Sequence, residues 1–311
     1  MKQKVIAIVG PTASGKSALG VFLAQKLGGE VISADSRQVY RGLNIGTGKV
    51  TKKEMGGIPH YLLDVASPKK QFSASDFEKL GQKAIEKIIK KEKVPMVVGG
   101  TGFYTDTLLG RMTLPDVPPN PELRERLEKK TVEALFKELQ IKDPERAKTI
   151  EPKHKRRIIR ALEIAESLKR SGILRSEGKT WPSGPERPSG QNPAERYEIL
   201  WLGIAPKEEI LHKKIHTRLL TRMKAGMVAE AKRLHAEGLS YKRMKELGLE
   251  YRSLAELLLG EVTKEEMLPR LEAAIRNYAK RQIRWFKRNQ DIHWVANKTE
   301  ALRLAKAFIS S

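Results

Sequence analysis

Cysteine is absent from the 311-residue chain. Disulfides and thiolate zinc sites are excluded at once. Long apolar runs are missing as well. No stretch reaches the length of a bilayer crossing, and the apolar run after Met1-Lys2-Gln3-Lys4 is too short for a secretory leader. The expectation is a cytoplasmic protein with no membrane partner. The six histidines show no metal-ligand spacing, no Ser-His-Asp arrangement can be assembled, and no internal repeat is visible. Acidic residues are also in deficit, 37 against 60 Lys and Arg, which leaves a net charge of +23. A charge of that size favours a polyanionic partner, with nucleic acid first among them.

What the chain does have begins at its amino end. Val5-Ile6-Ala7-Ile8-Val9 is a continuous apolar, β-branched run suited to a buried parallel strand. It leads into Gly10-Pro11-Thr12-Ala13-Ser14-Gly15-Lys16-Ser17, a complete phosphate-binding loop. Ser17 to Leu27 then has helical spacing, with Leu19, Phe22, Leu23 and Leu27 on one side and Gly28-Gly29 as the stop. In that strand–loop–helix setting the backbone amides turn inward around an anion, Lys16 adds a point charge, and the Ser17 hydroxyl is placed to hold magnesium.

The rhythm continues with strand-like runs at Val31–Ala34 and Val94–Val98 and an amphipathic helix over Ser75–Lys91 with Ser75 as its cap. This predicts an α/β fold, a P-loop core on a parallel sheet with its ligand at the carboxyl ends of the strands. Prolines 115, 118, 119 and 121 break the pattern, and the segments up to Lys169 are helical only. Residues 171–196 are rich in Gly, Pro and Ser, a flexible loop whose Trp181 is out of character. A strand returns at Tyr197–Ile204, long helical segments fill 207–288, and a short strand is expected at His293–Val295. The predicted organisation is a core from 1–113 and 197–311, with an all-helical domain inserted over 114–196.

Three further segments carry chemistry. Asp35, just past the second strand, should face the phosphate loop, as a magnesium or proton acceptor or as a turn cap. Gly99-Gly100-Thr101-Gly102 ends the third strand, where glycines admit a ligand to the backbone and Thr101 offers a hydroxyl. Asn277–Arg288 is a basic, aromatic helix in which Ile275, Tyr278, Gln282 and Trp285 share one side and Arg276, Lys280, Arg284 and Lys287 another. A second basic cluster runs through Lys153-His154-Lys155-Arg156-Arg157 and Arg160. The residues leave two readings open: a P-loop kinase of a nucleoside or small metabolite, and an enzyme or binding protein that works on RNA.

Taken together and in order, GPTASGKS, DSRQVYRG (35–42), IGTGK (45–49), FSASDF (72–77), GGTGFY (99–104), DPERAKTIEP with RRIIRALE (143–163) and NYAKRQIRWFKR (277–288) resemble the bacterial tRNA dimethylallyltransferases over almost the whole chain. The resemblance implies transfer of a dimethylallyl group from dimethylallyl pyrophosphate to N6 of the adenosine 3′ of the anticodon, with Mg2+ as cofactor, the anticodon stem-loop as partner and a monomer as the acting form. It assigns Asp35 as base, and Thr101 and Arg218 to the pyrophosphate. It assigns tRNA contact to Asp35, Ser36, Arg37 and Gln38, to Arg156, Arg157, Ile158, Ile159 and Arg160, and to Lys280, Arg281 and Gln282. The adenine would be flipped out of its stack to reach the loop. Departures from the family pattern are Ser17 for Thr, Phe103 for Leu, Lys153-His154 for Asn-Asp, and Glu250 where Gly precedes Tyr251.

Overall fold

The computed structural model describes residues 2–170 and 193–311. In chain order the elements are β1 (Gln3–Val9), α1 (Lys16–Leu27), β2 (Gly29–Ser33), α2 (Lys52–Met55), β3 (His60–Tyr61), α3 (Ala74–Ile89), β4 (Val94–Gly99) and α4 (Gly102–Leu108). Four helices follow: α5 (Pro121–Glu128), α6 (Val132–Lys142), α7 (Pro144–Thr149) and α8 (Lys155–Arg170). The chain closes with α9 (Pro193–Arg196), β5 (Tyr197–Gly203), α10 (Glu208–Lys224), α11 (Met227–Ala236), α12 (Tyr241–Glu246), α13 (Leu249–Leu258), α14 (Lys264–Phe286), β6 (Ile292–Trp294) and α15 (Lys298–Ser310). Residues 1–111 and 193–311 form one compact unit and residues 112–192 a second. Trp181 and most of the loop expected at 171–196 lie outside the described residues. The last four of those residues are helical rather than loop, as α9, and run straight into β5.

The first unit is built on a six-stranded, all-parallel sheet in the order β3-β2-β4-β1-β5-β6. Helices cover both faces, so β1 must be apolar on both. Val5, Ala7 and Val9 enter one core cluster with Phe77, Ile85 and Leu271, and Ile6 and Ile8 enter another with Leu23, Met96 and Ala301. The alternation is the two-residue period of a strand. Helix α1 ends where expected, at Gly28 in the left-handed conformation with φ 65°. Helix α3 starts earlier than expected: Ser73, not Ser75, is the cap, in a reciprocal capping box with Asp76.

The second unit, over its described residues, contains helices only, and packs Leu123, Leu127, Leu135, Leu139, Ile158 and Leu162 into a core of its own. One carboxylate inside it is fully committed. Glu163 is buried and accepts from Arg124 at 2.8 and 2.7 Å, from the Asn120 amide at 2.7 Å and from Arg160. These donors hold its carboxyl below the usual carboxylate range against the opposing effect of burial. Among the described residues of both units, no helix is long and apolar enough to cross a membrane.

Candidate active site

Adjacent strands β1 and β4 pair Val9 with Gly99, and β4 pairs Val98 with Ser33 of β2. The loops that follow these three strands therefore meet at one end of the sheet. The first is the phosphate loop. Gly15 takes φ 100°, a left-handed value that a side chain would resist, and leads into α1 through Lys16. Ser14 Oγ is buried within the loop and has no hydrogen-bond partner among the described residues, which leaves it free to meet a ligand oxygen. Lys16 Nζ donates to Pro11 O at 3.2 Å. Burial pulls the Lys16 ammonium down to about 8; Asp35 opposes that shift and Arg218 adds to it. Those influences put Lys16, Asp35 and Arg218 around one point.

Asp35 opens the loop after β2. Its Oδ1 accepts from the Arg37 amide at 2.8 Å and from the Gln38 amide at 3.3 Å. No hydrogen bond among the described residues falls on Oδ2. One carboxylate thus caps its turn through Oδ1 and keeps its second oxygen unbonded. The Ser36 amide donates to Thr101 Oγ1 at 3.1 Å, which ties this turn to the one after β4. Gln38 is held inside the site: Ser33 Oγ donates to Gln38 Oε1 and Gln38 Nε2 donates to Gly48 O, each at 3.3 Å.

The glycines after β4 do something other than admit a ligand. A Cβ on Gly99 would stand 2.1 Å from Ala34 O, one on Gly100 2.4 Å from Gln282 Nε2, and one on Gly102 2.1 Å from the Trp285 ring. The space is filled by protein, and the glycines let neighbouring elements close on Thr101. The same holds in IGTGK. Gly48 leaves room for the Arg218 guanidinium, which donates to Gly48 O at 3.0 Å, and Gly46 for the Tyr251 ring. Behind that loop, buried Glu230 accepts from the amides of Asn44, Ile45 and Gly46 at 3.0, 2.8 and 2.9 Å and from the Tyr251 hydroxyl at 2.6 Å. Arg222 braces it by donating to Gly46 O at 2.8 Å and to Glu250 at 3.2 Å, so the glutamate that departs from the family pattern has an ionic partner. Arg218 itself is largely buried, and burial and the neighbouring Arg222 lower its pKa.

The sequence-predicted tRNA residues divide. Arg156 and Arg157 are exposed at the start of α8, and Arg281 is exposed on α14. Lys280 is exposed and paired with Glu208 at 2.8 Å. Ile158 and Ile159 belong to the core of the second unit, so their side chains do not reach solvent. Arg160 is spent on Glu163 and on Val117 O at 2.9 Å. Gln282 is buried, with both ends of its amide engaged by the protein. Packing and internal hydrogen bonds already engage these four side chains within the protein.

One residue of the site escaped the sequence reading. Tyr278, on the same side of α14 as Gln282 and one turn before it, comes within hydrogen-bonding reach of Thr101 and feels the charges of Asp35 and Arg37; burial pushes its hydroxyl up to about 12. Helical spacing had placed it beside Gln282, but as a packing residue.

Among the described residues no cluster of three or more His, Cys, Asp or Glu can hold a metal. The donors available are the exposed Ser17 hydroxyl and the carboxylate of Asp35. That set suits magnesium bound mainly through water and the oxygens of a phosphate ligand, which needs few protein ligands.

A family model described as IPP transferase matches residues 38–289. The tRNA dimethylallyltransferase of Streptomyces coelicolor is 37% identical over 312 residues, covering 98% of this chain and 96% of its own. A tRNA dimethylallyltransferase 2 of Treponema denticola is 40% identical over 94% of this chain and 96% of its own. The crystal structure of the full-length tRNA isopentenylpyrophosphate transferase of Bacillus halodurans matches with TM-score 0.70 and 34% identity over 99% of this chain and 96% of that one. A eukaryotic dimethylallyltransferase captured acting on tRNA matches with TM-score 0.79 and 26% identity, over 99% of this chain and 80% of that one.

Proposed function

The chain belongs to the IPP transferase family, and on that premise we propose that it is a tRNA dimethylallyltransferase. It moves the dimethylallyl group of dimethylallyl pyrophosphate to N6 of the adenosine 3′ of the anticodon and releases pyrophosphate. The observation that carries this reading is the Asp35 carboxylate, fixed through Oδ1 by two backbone amides with Oδ2 left unbonded among the described residues, and close enough for its charge to act on both Lys16 and Arg218. A kinase of a small metabolite has no use for a net charge of +23.

In this mechanism the loop holds a leaving group, not a phosphoryl donor. The bond between the allylic carbon and the pyrophosphate oxygen breaks, and the bond from adenine N6 to that carbon forms. Negative charge grows on pyrophosphate as the bond lengthens. The loop amides, Ser14 Oγ, Lys16, Arg218 and the Thr101 hydroxyl are the groups placed to take it. Magnesium held at Ser17 would neutralise part of the same charge. The exocyclic amine is a weak nucleophile because its lone pair is delocalised into the ring. Asp35 Oδ2 accepts the proton that N6 sheds, and Ser36, Arg37 and Gln38 orient the base. Arg156, Arg157, Lys280 and Arg281 supply positive charge to the RNA backbone, with the monomer as the acting form.

The reading is tested by incubating the protein with magnesium, radiolabelled dimethylallyl pyrophosphate and unmodified tRNA, beside AMP and ATP controls. Label should appear in tRNA and vanish when the adenosine next to the anticodon is changed. Label confined to AMP, or ATP turnover without transfer, refutes it.

A second expectation concerns the second unit. Substituting Arg156 and Arg157 together by Gln should weaken tRNA binding and flatten the slope of log Kd against log salt by about 0.7 to 0.9 for each phosphate that the variant leaves unneutralised. An unchanged slope in a salt titration removes both residues from the RNA interface.

A further inference from the structure

Among the buried residues of α14, Gln282 alone carries an amide. Its Oε1 accepts from the Thr12 amide at 2.8 Å and its Nε2 donates to Gly100 O at 2.7 Å. Thr12 lies in the phosphate loop after β1, and Gly100 precedes Thr101 after β4. The strands themselves are tied by their ladder, which ends at Val9 and Gly99. Beyond that point Gly100 still lies close to Gly10 O and the Lys16 side chain, and the Gln282 amide adds a bridge from Thr12 to Gly100. The site is shaped for it, since a Cβ on Gly100 would stand 2.4 Å from Nε2.

We propose that Gln282 is a positioning residue whose amide braces the phosphate loop against the Gly100–Thr101 turn, so that the pyrophosphate and the Thr101 hydroxyl hold a fixed mutual placement. An apolar side chain of the same size would fill the space but leave the Thr12 amide and Gly100 carbonyl unjoined. The Thr101 hydroxyl also accepts from the Ser36 amide at 3.1 Å. Tyr278 approaches it from the same face of α14, so the helix supports the turn at two levels. Gln282 touches neither substrate; it acts through Thr101 and the loop. The inference rests on the proposed function, in which Thr101 serves the departing pyrophosphate.

The test uses the full chain carrying Gln282→Met, Gln282→Glu, Thr101→Ala or the pair Thr101→Ala with Gln282→Met. Rates are normalised to active sites counted by donor binding, and each variant is checked by thermal melting. Gln282→Met should lower kcat roughly 10- to 100-fold, the cost of misplacement by about an ångström, with little change in donor KM or in tRNA Kd. Gln282→Glu keeps an oxygen for Thr12 but opposes Gly100 O with a second oxygen, so it should lose kcat as well. The paired variant should be hardly slower than Thr101→Ala alone. Wild-type kcat in both Gln282 variants overturns the proposal, as do a loss confined to donor KM, losses that multiply in the paired variant, or failure of both variants to fold. A near-normal rate in Thr101→Ala alone would overturn the role of Thr101, a separate failure visible before the Gln282 variants are compared.

Discussion

Asp35→Ala lowers transfer to tRNA by roughly two to four orders of magnitude, the range for losing a positioned general base, while tRNA still binds. The structure sharpens this expectation because Asp35 has two separable duties. Its Oδ1 holds the amides of Arg37 and Gln38, its Oδ2 has no hydrogen bond among the described residues, and its charge acts on Lys16 and Arg218. Alanine removes both duties at once. Asn removes only one, since its amide oxygen can still accept from the two backbone N–H groups while its NH2 cannot take a proton. Single-turnover transfer, with enzyme in excess over tRNA and donor saturating, should therefore be as slow in Asp35→Asn as in Asp35→Ala. Full activity in the Asn variant would reduce Asp35 to a turn cap. Equal tRNA Kd for all three proteins, measured without donor, separates chemistry from binding.

The core sheet was legible because its strands are buried on both faces. Val5–Val9, Val31–Ala34 and Val94–Val98 stand out as apolar blocks for the physical reason that helices cover each side. Strand β3 was not legible: His60 and Tyr61 are two half-buried residues with no pattern to detect. The start of α3 shows a different limit. Ser73 with Asp76 and Ser75 with Glu78 both have capping-box spacing, so local chemistry offers two starts. Tertiary packing settles it by burying Phe77 and Glu78 inside the helix.

At the site, the residues proposed to meet the substrates were readable and the ones that hold the protein together were not. The phosphate loop, Asp35 and Thr101 announce themselves through short motifs at strand ends. Gln282 and Thr12 are 270 positions apart, and no spacing rule joins them. Helical spacing put Gln282 on the apolar side of its helix, and only the family resemblance assigned it to tRNA. Arg160 did carry a local signal, Glu163 three residues on along one helix face, but the cluster of like charges before it pointed toward RNA. Ile158 and Ile159 were swept in with the same cluster, although their apolar side chains fit the core of α8 better than its exposed face. Gly100 and Gly102 look like ligand clearances in sequence; only the fold shows Gln282 and Trp285 filling them, as Tyr251 and Arg218 fill the space at Gly46 and Gly48.

Lys16→Met should lower kcat/KM for the donor by about 10²- to 10³-fold, the loss seen when one group aimed at developing charge is removed. Its methyl end fills the space without charge, at the loss of the bond from Lys16 Nζ to Pro11 O. The lysine also gives the reaction a pH signature. Burial lowers its pKa to about 8, and the nearby Arg218 pulls in the same direction. The charged form is present below that value and is lost above it. In the free enzyme, kcat/KM for the donor should therefore decline as pH rises through about 8, approaching a tenfold loss per unit beyond it. Bound pyrophosphate favours the ammonium, so the corresponding fall in kcat should lie at higher pH. Lys16→Met has no ammonium to lose and should show neither fall. A donor titration across the alkaline range, run on both proteins at constant ionic strength, decides the matter. If the variant declines in step with the parent chain, the titrating group is elsewhere and Lys16 does not set the charge of the pyrophosphate site.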